Sequence, residues 1–422
     1  AKEITSQDEL ELLKNNWSHT VMDEKNPCLS RDSQYCIECR RCVRACRDIQ
    51  TVEALGVNYR SSKTNVGTPY EIPLDCIFCG QCSAVCPTAA ITEKDDTEKF
   101  AHALEDPKKM VVVQIAPSVR FTFAEEFGMP AGQFWEGKLV AALKQLGANK
   151  VFDTTLGADL TIVEEANELI GRIKSGKKGP MAGIEKIDPA NIISVSIMPC
   201  TSKKYEAERS EMNASGHQDV DIVLTVRELA RLLRRKKINP AYLEDKRFDP
   251  ALGISTGAGI LFAQSGGVME AALRTAVEKM TGETLGKVEF EMVRGEAEYK
   301  CAEIEINKIK LKIAVVHEIR NARKLLEDIK AGRAEYDFVE VMACPNGCIG
   351  GGGQPQPANK FVREARRQAV LERDKNMPIR KSHENPAVKK IYKEFLGAPG
   401  GEKTEELLHT KYIDREKKPN NS

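Results

Sequence analysis

The stretch Met342-Ala-Cys-Pro-Asn-Gly-Cys-Ile-Gly-Gly-Gly-Gly-Gln-Pro355 places two cysteines, Cys344 and Cys348, shortly before a run of consecutive glycines. Two thiolates at this spacing can hold one metal cluster from both sides of a tight loop. The glycines let the backbone approach that cluster closely, because they carry no Cβ. The residues from Tyr336 to Met342 have the pattern of a strand. The stretch therefore predicts a cofactor-binding loop at a sheet edge. The alternative is a glycine-rich turn with two buried free thiols.

The composition is that of a soluble globular protein of roughly two or three domains. The chain has 422 residues, of which 41% are hydrophobic and 30% charged. Lys and Arg number 63 against 62 for Asp and Glu, so no charge excess points to nucleic acid or an anionic membrane. No apolar run approaches the ~20 residues of a membrane span. The N-terminal residues show no export signal, which predicts a cytoplasmic protein.

The cysteines are the most informative residue type. Most of the 13 lie between Cys28 and Cys86, in two runs that both read C-x2-C-x2-C-x3-C. This is the bacterial ferredoxin pattern, in which three close cysteines bind one [4Fe–4S] cube and the fourth binds the other. Zinc sites also use paired C-x-x-C, but this spacing favours the clusters. The predicted ligand sets are Cys36, Cys39, Cys42 and Cys86 for one cluster, and Cys76, Cys79, Cys82 and Cys46 for the other. Cys28 and Cys301 are predicted to be ordinary thiols.

After about residue 105 the pattern changes to alternating strands and helices, one of which is predicted over Asp159 to Lys174. Cysteine-bearing loops that follow strands predict a site at the carboxyl ends of a sheet. The predicted fold is an α+β ferredoxin-like 2[4Fe–4S] module, then an α/β domain that carries the active centre, then a C-terminal helical segment. The predicted boundaries are 1–27 for an N-terminal segment of helical pattern, 28–100, 105–360 and 361–422.

Three features together resemble the [FeFe]-hydrogenases. They are Met198-Pro-Cys200-Thr-Ser-Lys203, the stretch from Met342 to Pro355, and the tandem-cluster module before them. The resemblance implies an H-cluster, in which a [4Fe–4S] cube shares a cysteine sulfur with a two-iron unit that carries CO, cyanide and a bridging amine dithiolate. It implies that Cys200 and Cys344 bind the cube, and that Cys348 binds the cube and bridges to the two-iron unit.

The resemblance also implies roles for residues around this centre. Lys203 would donate a hydrogen bond to a cyanide ligand, since a cation suits a metal-bound anion; the alternative is a solvated surface lysine. Met198 and Met342 would line the pocket, or would be plain strand core. The residues implied to pack around the diatomic ligands are Ala116, Pro117, Ser118 and Phe262.

Glu165 and Glu168 lie on one face of a predicted helix. The resemblance implies that they carry protons between the centre and the surface. The alternative is a charged helix face of the kind that many helices show.

One family signature is missing. The motif Thr-Ser-Cys-Cys-Pro-Gly-Trp is absent, and the sequence around the junction of Met181 and Ala182 reads as the two flanks of a lost block. In the family, that block supplies the fourth cube ligand and the cysteine that passes protons to the bridging amine. Either the natural protein contains a segment that this sequence lacks, or the protein has truly lost it.

The implied reaction is the reversible conversion of H2 into two protons and two electrons. The sequence has no dinucleotide fingerprint or flavin motif, so electrons should pass to ferredoxin or to iron–sulfur subunits of a larger complex. Such complexes couple hydrogen to formate dehydrogenase or to electron-bifurcating flavoproteins. The competing functions are a non-catalytic iron–sulfur assembly factor and a hydrogen sensor.

Overall fold

A computed structural model describes residues 22–59, 64–69, 74–174, 191–213, 216–250, 254–295, 297–306 and 308–409. The predicted helical pattern before residue 22, the tail after residue 409 and the junction of Met181 with Ala182 lie outside the described residues.

The tandem cysteine runs fold as a small α+β module. It contains a three-stranded antiparallel sheet of order β1-β2-β5 and a separate two-stranded hairpin, β3-β4. The strands are β1 Met22–Asp23, β2 Leu29–Asp32, β3 Gly56–Asn58, β4 Asn65–Gly67 and β5 Ile91–Glu93, and the helices are α1 Arg41–Arg44 and α2 Gln81–Ala84. Each cysteine run enters its helix through a residue in the left-handed region, Arg40 at φ 59° and Gly80 at φ 70°. The sequence repeat is thus also a structural repeat.

The first sheet of the larger domain is entirely parallel, in the order β7-β6-β8-β9. Its strands are β6 Met110–Ile115, β7 Lys150–Asp153, β8 Ile192–Met198 and β9 Ile222–Thr225, and the helices around it are α3 Thr97–Glu105, α4 Glu136–Leu146, α5 Thr155–Lys174, α6 Ser202–Ala207 and α7 Val226–Arg235. Val113, Leu139, Leu143 and Leu224 are fully buried in its core. Each such side chain contributes about 1.5–3 kcal/mol through burial.

A second, mixed sheet carries the glycine-rich loop. Strand β10 is antiparallel to β11, and β11 is parallel to β12. The elements here are β10 Tyr299–Ile306, β11 Ile309–His317, β12 Phe338–Met342, α8 Gly257–Leu261, α9 Gly267–Thr281 and α10 Ile319–Lys330. Strand β12 is an edge strand, and its carboxyl end leads into Cys344, as predicted. Glu340 on β12 accepts hydrogen bonds from the main-chain N–H groups of Gly266 (2.6 Å) and Met269 (2.8 Å), which stabilises the N-terminus of α9.

Two details differ from the predictions. Strand β10 was not predicted, and helix α5 begins at Thr155 instead of Asp159. The earlier start has a local cause, because the Asp153 side chain accepts a hydrogen bond from the Thr155 N–H at 2.9 Å. Asp159 is instead fully buried inside the helix and accepts hydrogen bonds from Thr256, Ser382 and Asn385.

The C-terminal segment is helical, as predicted, with α11 Lys360–Lys375, α12 Pro386–Ile391 and α13 Glu402–Leu408. Tyr392 donates a hydrogen bond to Glu164 of α5, and the Gly400 N–H donates another at 2.9 Å. These contacts fasten the segment to the first sheet's helical layer. Strand β1 lies ahead of residue 28, where the second predicted domain begins, yet it pairs within the module's sheet. The domain boundaries stay predictions. Across the described ranges, no helix is both long enough and apolar enough to cross a membrane.

Candidate iron–sulfur and catalytic site

The eight cysteines of the two runs form two groups in space. Burial, with smaller contributions from the neighbouring thiols of Cys86, Cys36 and Cys39, raises the pKa of Cys42 to about 11. Burial likewise raises the pKa of Cys79, whose neighbours are Cys82, Cys76 and Cys46. Each group therefore joins three cysteines of one run to the last cysteine of the other, which is the predicted exchange of ligands.

Each group lines a small cavity. Cys46, Cys76, Cys79 and Cys82 surround one of about 60 Å³, and Cys36, Cys39, Cys42 and Cys86 surround one of about 20 Å³. Arg31 and Ile91 lie in the walls of both cavities, so the two sites are immediate neighbours. Four thiols around one cavity fit the four corners of a [4Fe–4S] cube. Metal cations would also reverse the pKa effect of burial, because they favour the thiolate.

A third group of cysteines lies where the two large sheets meet the module. Cys200 follows β8, while Cys344 and Cys348 follow β12. Burial raises the pKa of Cys344 well above its usual value, followed by the effects of Cys200, Cys79 and Cys348. Burial and then Cys200 raise the pKa of Cys348 to about 12. Three thiols fit three corners of a cube; among the described residues no further cysteine beyond the module's own ligands completes a set of four at this position.

Lys203 lies beside this group. Its ammonium forms an ion pair with Glu206 at 2.5 Å. Burial opposes the charged form, but Glu206, followed by Cys200 and Cys348, raises the pKa of Lys203 above its usual value. The side chain is 42% exposed. Lys203 and Met198 line a cavity of about 210 Å³ together with Gln114 and Ser196. Lys203 thus lies near the predicted centre, but Cys200, Cys344 and Cys348 do not line this cavity. The roles of Lys203 and Met198 stay predictions.

Met342 packs against the loop that carries Cys348. Its Sδ lies 2.5 Å from the place that a Cβ on Gly347 would occupy, and Gly347 has φ +83°. Only glycine therefore suits this position. Met342 is half-buried and precedes Cys344 and Cys348 in the same short stretch.

Of the predicted packing residues, Ser118 contacts the cysteine loop through Gln354. Ser118 is buried, and its Oγ accepts a hydrogen bond from Gln354 Nε2 at 3.2 Å; the same amide nitrogen donates to the Cys348 carbonyl at 2.9 Å. Ala116 is buried, whereas Pro117 and Phe262 are half-buried. The fully buried Gln354 thus ties the Ser118 segment to the cysteine loop. Its contacts were not predicted, although the residue belongs to the quoted stretch.

Glu165 and Glu168 lie on α5, as predicted. Glu165 is half-buried, whereas the Glu168 side chain lies outside what the structure describes. The proton route that they would form stays a prediction.

At one point the ferredoxin-like module approaches the cysteine loop so closely that only glycines fit between the two backbones. A Cβ on Gly352 would stand 2.6 Å from the Gly80 Cα and closer still to the Cys79 carbonyl oxygen. A Cβ on Gly80 would stand 2.5 Å from the Thr201 Oγ1, which itself donates to the Phe78 carbonyl at 2.7 Å. These glycines allow the Cys79 site to lie against the Cys200 and Cys344 site.

Two buried glutamines cross the same junction. Gln81 Nε2 donates to the Gly350 carbonyl at 2.9 Å, and its side chain also hydrogen-bonds the Cys344 thiol. The Gln81 main-chain N–H donates to the Cys79 sulfur. Gln50 Nε2 donates to the Ala343 carbonyl at 2.9 Å. Gln81 therefore contacts a ligand candidate of each of two cluster sites.

Arginines hold the remainder of the glycine-rich loop. Arg366 on α11 is fully buried and donates to the Ile349 and Pro355 carbonyls at 2.6 and 3.0 Å. Arg227 on α7 donates to the Gly352 carbonyl at 2.9 Å and pairs with Glu93 of the module. Charged donors on carbonyls are among the stronger hydrogen bonds. The chain's own hydrogen bonds thus hold the loop from three sides, without a contribution from a cofactor.

Three cysteine sites in series, two in an electron-transfer module and one between α/β sheets, define an iron–sulfur oxidoreductase. Family models make the class specific. The model for the C-terminal domain of the iron only hydrogenase large subunit matches residues 109–183 and 182–352. The 4Fe-4S dicluster domain matches residues 35–90, and the iron hydrogenase small subunit matches residues 360–415. The chain belongs to the iron-only, or [FeFe], hydrogenase large subunits.

Individual relatives agree with this assignment. The chain is 41% identical to the NADP-reducing hydrogenase subunit HndD of Solidesulfovibrio fructosivorans, over 92% of this chain and 75% of the relative. It is 38% identical to iron hydrogenase 1 of Clostridium pasteurianum, over 93% and 77%. The apo [FeFe]-hydrogenase HydA1 from Chlamydomonas reinhardtii superposes with a TM-score of 0.65 at 33% identity, covering 76% of this chain and 99% of that chain.

The assembly-factor alternative finds only distant support. The cytosolic iron-sulfur assembly component 3 of Mus musculus is 27% identical, over 81% of this chain and 84% of that protein. The chain is therefore a hydrogenase that carries [4Fe–4S] clusters and an H-cluster and catalyses H2 oxidation and proton reduction.

We expect Gln81→Leu to lower the reduction potential of the cube near Cys344. The N–H donor that this change removes stabilises the more negative, reduced state, and one such bond is worth about 1 kcal/mol, or about 40 mV for one electron. Redox titration followed by electron paramagnetic resonance (EPR) measures the shift. Gln34→Leu, at an exposed position of the module, is the control and should leave the potential unchanged. An unchanged potential in Gln81→Leu would show that the amide has no electronic effect on the cube.

Proposed function

We propose that the chain is the hydrogen-activating subunit of a multi-subunit iron–sulfur complex. Electrons would move between the Cys344 site, the Cys76–Cys79–Cys82 site with Cys46, and the Cys36–Cys39–Cys42 site with Cys86. The observation that carries this order is the glycine-to-glycine contact of Gly80 with Gly352, which brings the middle site against the catalytic loop. The rate of electron transfer falls steeply with distance, so close packing of the sites favours this route.

When bound, the H-cluster supplies an open iron and an amine base that together split H2 into two protons and two electrons. The chain's own residues hold and shield it. Cys200 and Cys344 would bind the cube, and Cys348 would bind the cube and the two-iron unit. Lys203 would donate a hydrogen bond to a cyanide ligand, because a cationic donor suits a metal-bound anion. Burial of Ala116, Ser118 and Met198 keeps water from the centre.

Protons would leave along α5. Glu165 and Glu168 lie on one helix face, and Glu165 is half-buried, as suits a relay between interior and solvent. The inner end of this route would be the cysteine of the missing family signature.

We propose that the natural protein contains a block between Met181 and Ala182. The large-subunit family model matches in two pieces that meet at this junction, 109–183 and 182–352. The alignment with HndD runs over 439 positions, more than the 422 residues of this chain, so that relative has segments without a counterpart here. Both findings favour a lost internal block over a divergent one.

The proposed partners are iron–sulfur subunits or ferredoxin. One relative is named as a subunit of an NADP-reducing hydrogenase, which supports assembly into a complex. Since this sequence has no dinucleotide fingerprint, another subunit would bind the nucleotide in such a complex. Coupling to formate dehydrogenase or to electron bifurcation, and the cytoplasmic location, stay predictions.

Infrared spectroscopy after maturation tests the catalytic proposal. We expect CO and cyanide stretching bands from a chain in which the block between Met181 and Ala182 has been restored according to the coding DNA. The 422-residue chain should give weak or absent bands, because it lacks one cube ligand. Cys348→Ala in the restored chain should remove the bands while the EPR signals of the module's clusters persist. Absence of bands from restored, iron-replete and fully matured protein would contradict the hydrogenase function and favour an assembly role.

A further inference from the structure

The loop of the first cysteine run presents apolar side chains to solvent. Tyr35 is 58% exposed and Ile37, between Cys36 and Cys39, is 64% exposed. Among the described residues, 15 large hydrophobic side chains are exposed, and the module holds a disproportionate share of them: Met22, Tyr35, Ile37, Val57, Tyr59 and Ile77. Single exposed apolar residues are ordinary, but a concentration on one small module indicates a contact surface.

Cationic side chains follow Ile37 closely in the chain, and Arg40 lines the same cavity as Ile37. Arg40, Arg41 and Arg44 are exposed, and none of the three forms an ion pair with any described residue. Arg47 is also exposed but is neutralised by Asp48 at 2.6 Å. Glu38 is the remaining exposed acid of this segment. Asp48 also lies close enough to Arg44 for its pKa to be lowered, after the larger effect of Arg47. The segment still carries a net positive charge, since its four arginines outnumber Glu38 and Asp48.

This surface lies directly over a cluster site. Ile37 and Arg40 line the same cavity as Cys36, Cys39 and Cys42. Cys36 and Cys39 are half-buried, whereas Cys42 is buried. A molecule that covers Ile37 would thus lie directly against this cluster site, because Ile37 forms part of its wall.

We propose that Tyr35, Ile37, Arg40, Arg41 and Arg44 form the docking face for an acidic ferredoxin-type electron carrier. The inference rests on the proposed electron route, in which this cluster is the outermost. Three exposed guanidinium groups without an ion pair attract an acidic partner and accelerate its encounter, and the apolar centre then excludes water from the contact. Weak electron-transfer complexes need only a small interface of this kind.

A second copy of this chain is the less suitable occupant. A two-fold contact would place the same three arginines against their counterparts, and like charges across an interface are unfavourable. An anionic membrane offers the right charge but no electron acceptor, so it enters as an outcome of the test.

The test uses the full, cluster-loaded protein and an acidic bacterial 2[4Fe–4S] ferredoxin. We expect the triple variant Arg40→Gln, Arg41→Gln, Arg44→Gln to raise the Kd about tenfold or more at low salt, with the difference largely gone at ~0.5 M salt. Ile37→Ser should raise the Kd at both salt concentrations. The triple change Lys246→Gln, Arg247→Gln, Lys330→Gln alters exposed cations elsewhere and should leave the Kd unchanged.

Other outcomes separate the two proposals. An unchanged ferredoxin Kd in the arginine variant, or binding of anionic phosphatidylserine vesicles in place of ferredoxin, would overturn the docking face. Absence of H2-dependent reduction of methyl viologen in matured protein that carries the restored block between Met181 and Ala182 would overturn the proposed function, because that dye needs no docking face. Intact viologen activity together with impaired ferredoxin reduction in the arginine variant supports both.

Discussion

Replacing Gly352 by alanine should separate the electron-transfer module from the catalytic loop. The new Cβ would stand 2.6 Å from the Gly80 Cα and closer to the Cys79 carbonyl, and both neighbours are backbone, which cannot turn aside. Overpacking of this kind typically costs about 1–3 kcal/mol. Here the relief of the clash must also widen the gap between the Cys79 and Cys344 sites. In the chain with the restored block between Met181 and Ala182, we therefore expect a lower melting temperature and a large loss of ferredoxin-linked H2 oxidation.

Gly286→Ala is the matched control for this change. No described atom lies within 4 Å of a Cβ at Gly286, and its φ is not positive. The control should keep its stability and activity. Magnetic interaction between the reduced clusters, seen by EPR, reports their separation directly and should weaken in Gly352→Ala alone. A Gly352→Ala protein with unaltered cluster interaction would show that the junction does not depend on this contact.

Features that depend on residues close together in the chain were predicted from the sequence. The cysteine runs specify two clusters, because four ligands lie within one short stretch and the crossing of the fourth is a property of the motif. The strand before Cys344 and the glycine-rich loop after it were likewise predicted, and the structure places them at the carboxyl end of an edge strand. Cys200 joins them from another sheet; the resemblance predicted this, not the spacing.

The junction itself could not be predicted from local patterns. Gln81 meets Gly350, and Gln50 meets Ala343, across separations of 269 and 293 residues. The sequence around a buried glutamine contains no pattern that predicts its hydrogen-bond partner. Arg366 resembles any cation of a charged helix, yet it is fully buried on the carbonyls of the cysteine loop. The role of such a residue becomes visible only in the folded chain, where its side chain is the donor for a buried carbonyl that has no other donor.

Asp159 shows the same limit inside an element. An aspartate early in a helical pattern is a reasonable candidate for the helix start. Asp153 takes that role instead, and Asp159 faces inward, where Thr256, Ser382 and Asn385 donate to it. Despite these donors, burial raises the pKa of Asp159 to about 6. The position of this buried acceptor depends on donors from Thr256 and from the C-terminal segment, which no window around residue 159 contains.

Single cysteine changes should separate the two module clusters in a way that tests the exchanged fourth ligands. We expect Cys86→Ala to remove the cluster of Cys36, Cys39 and Cys42, although Cys86 belongs to the other run. Cys46→Ala should remove the cluster nearest the catalytic loop. Each variant should lose one EPR signal of the reduced module. Iron content should fall accordingly, while Cys301→Ala, at an exposed thiol outside both runs, should lose nothing.

The two variants should also differ in function, because their clusters lie at different places in the series. Cys46→Ala interrupts the step next to the Cys344 site, so it should reduce both ferredoxin-linked and viologen-linked H2 oxidation to near background. Cys86→Ala leaves that step intact, so viologen, which can reach the inner cluster, should retain activity that ferredoxin loses. When both variants are made in the chain with the restored block between Met181 and Ala182, the infrared bands of the H-cluster should persist in each. Loss of the inner cluster in Cys86→Ala would mean that each run binds its own four ligands, and would overturn the proposed order.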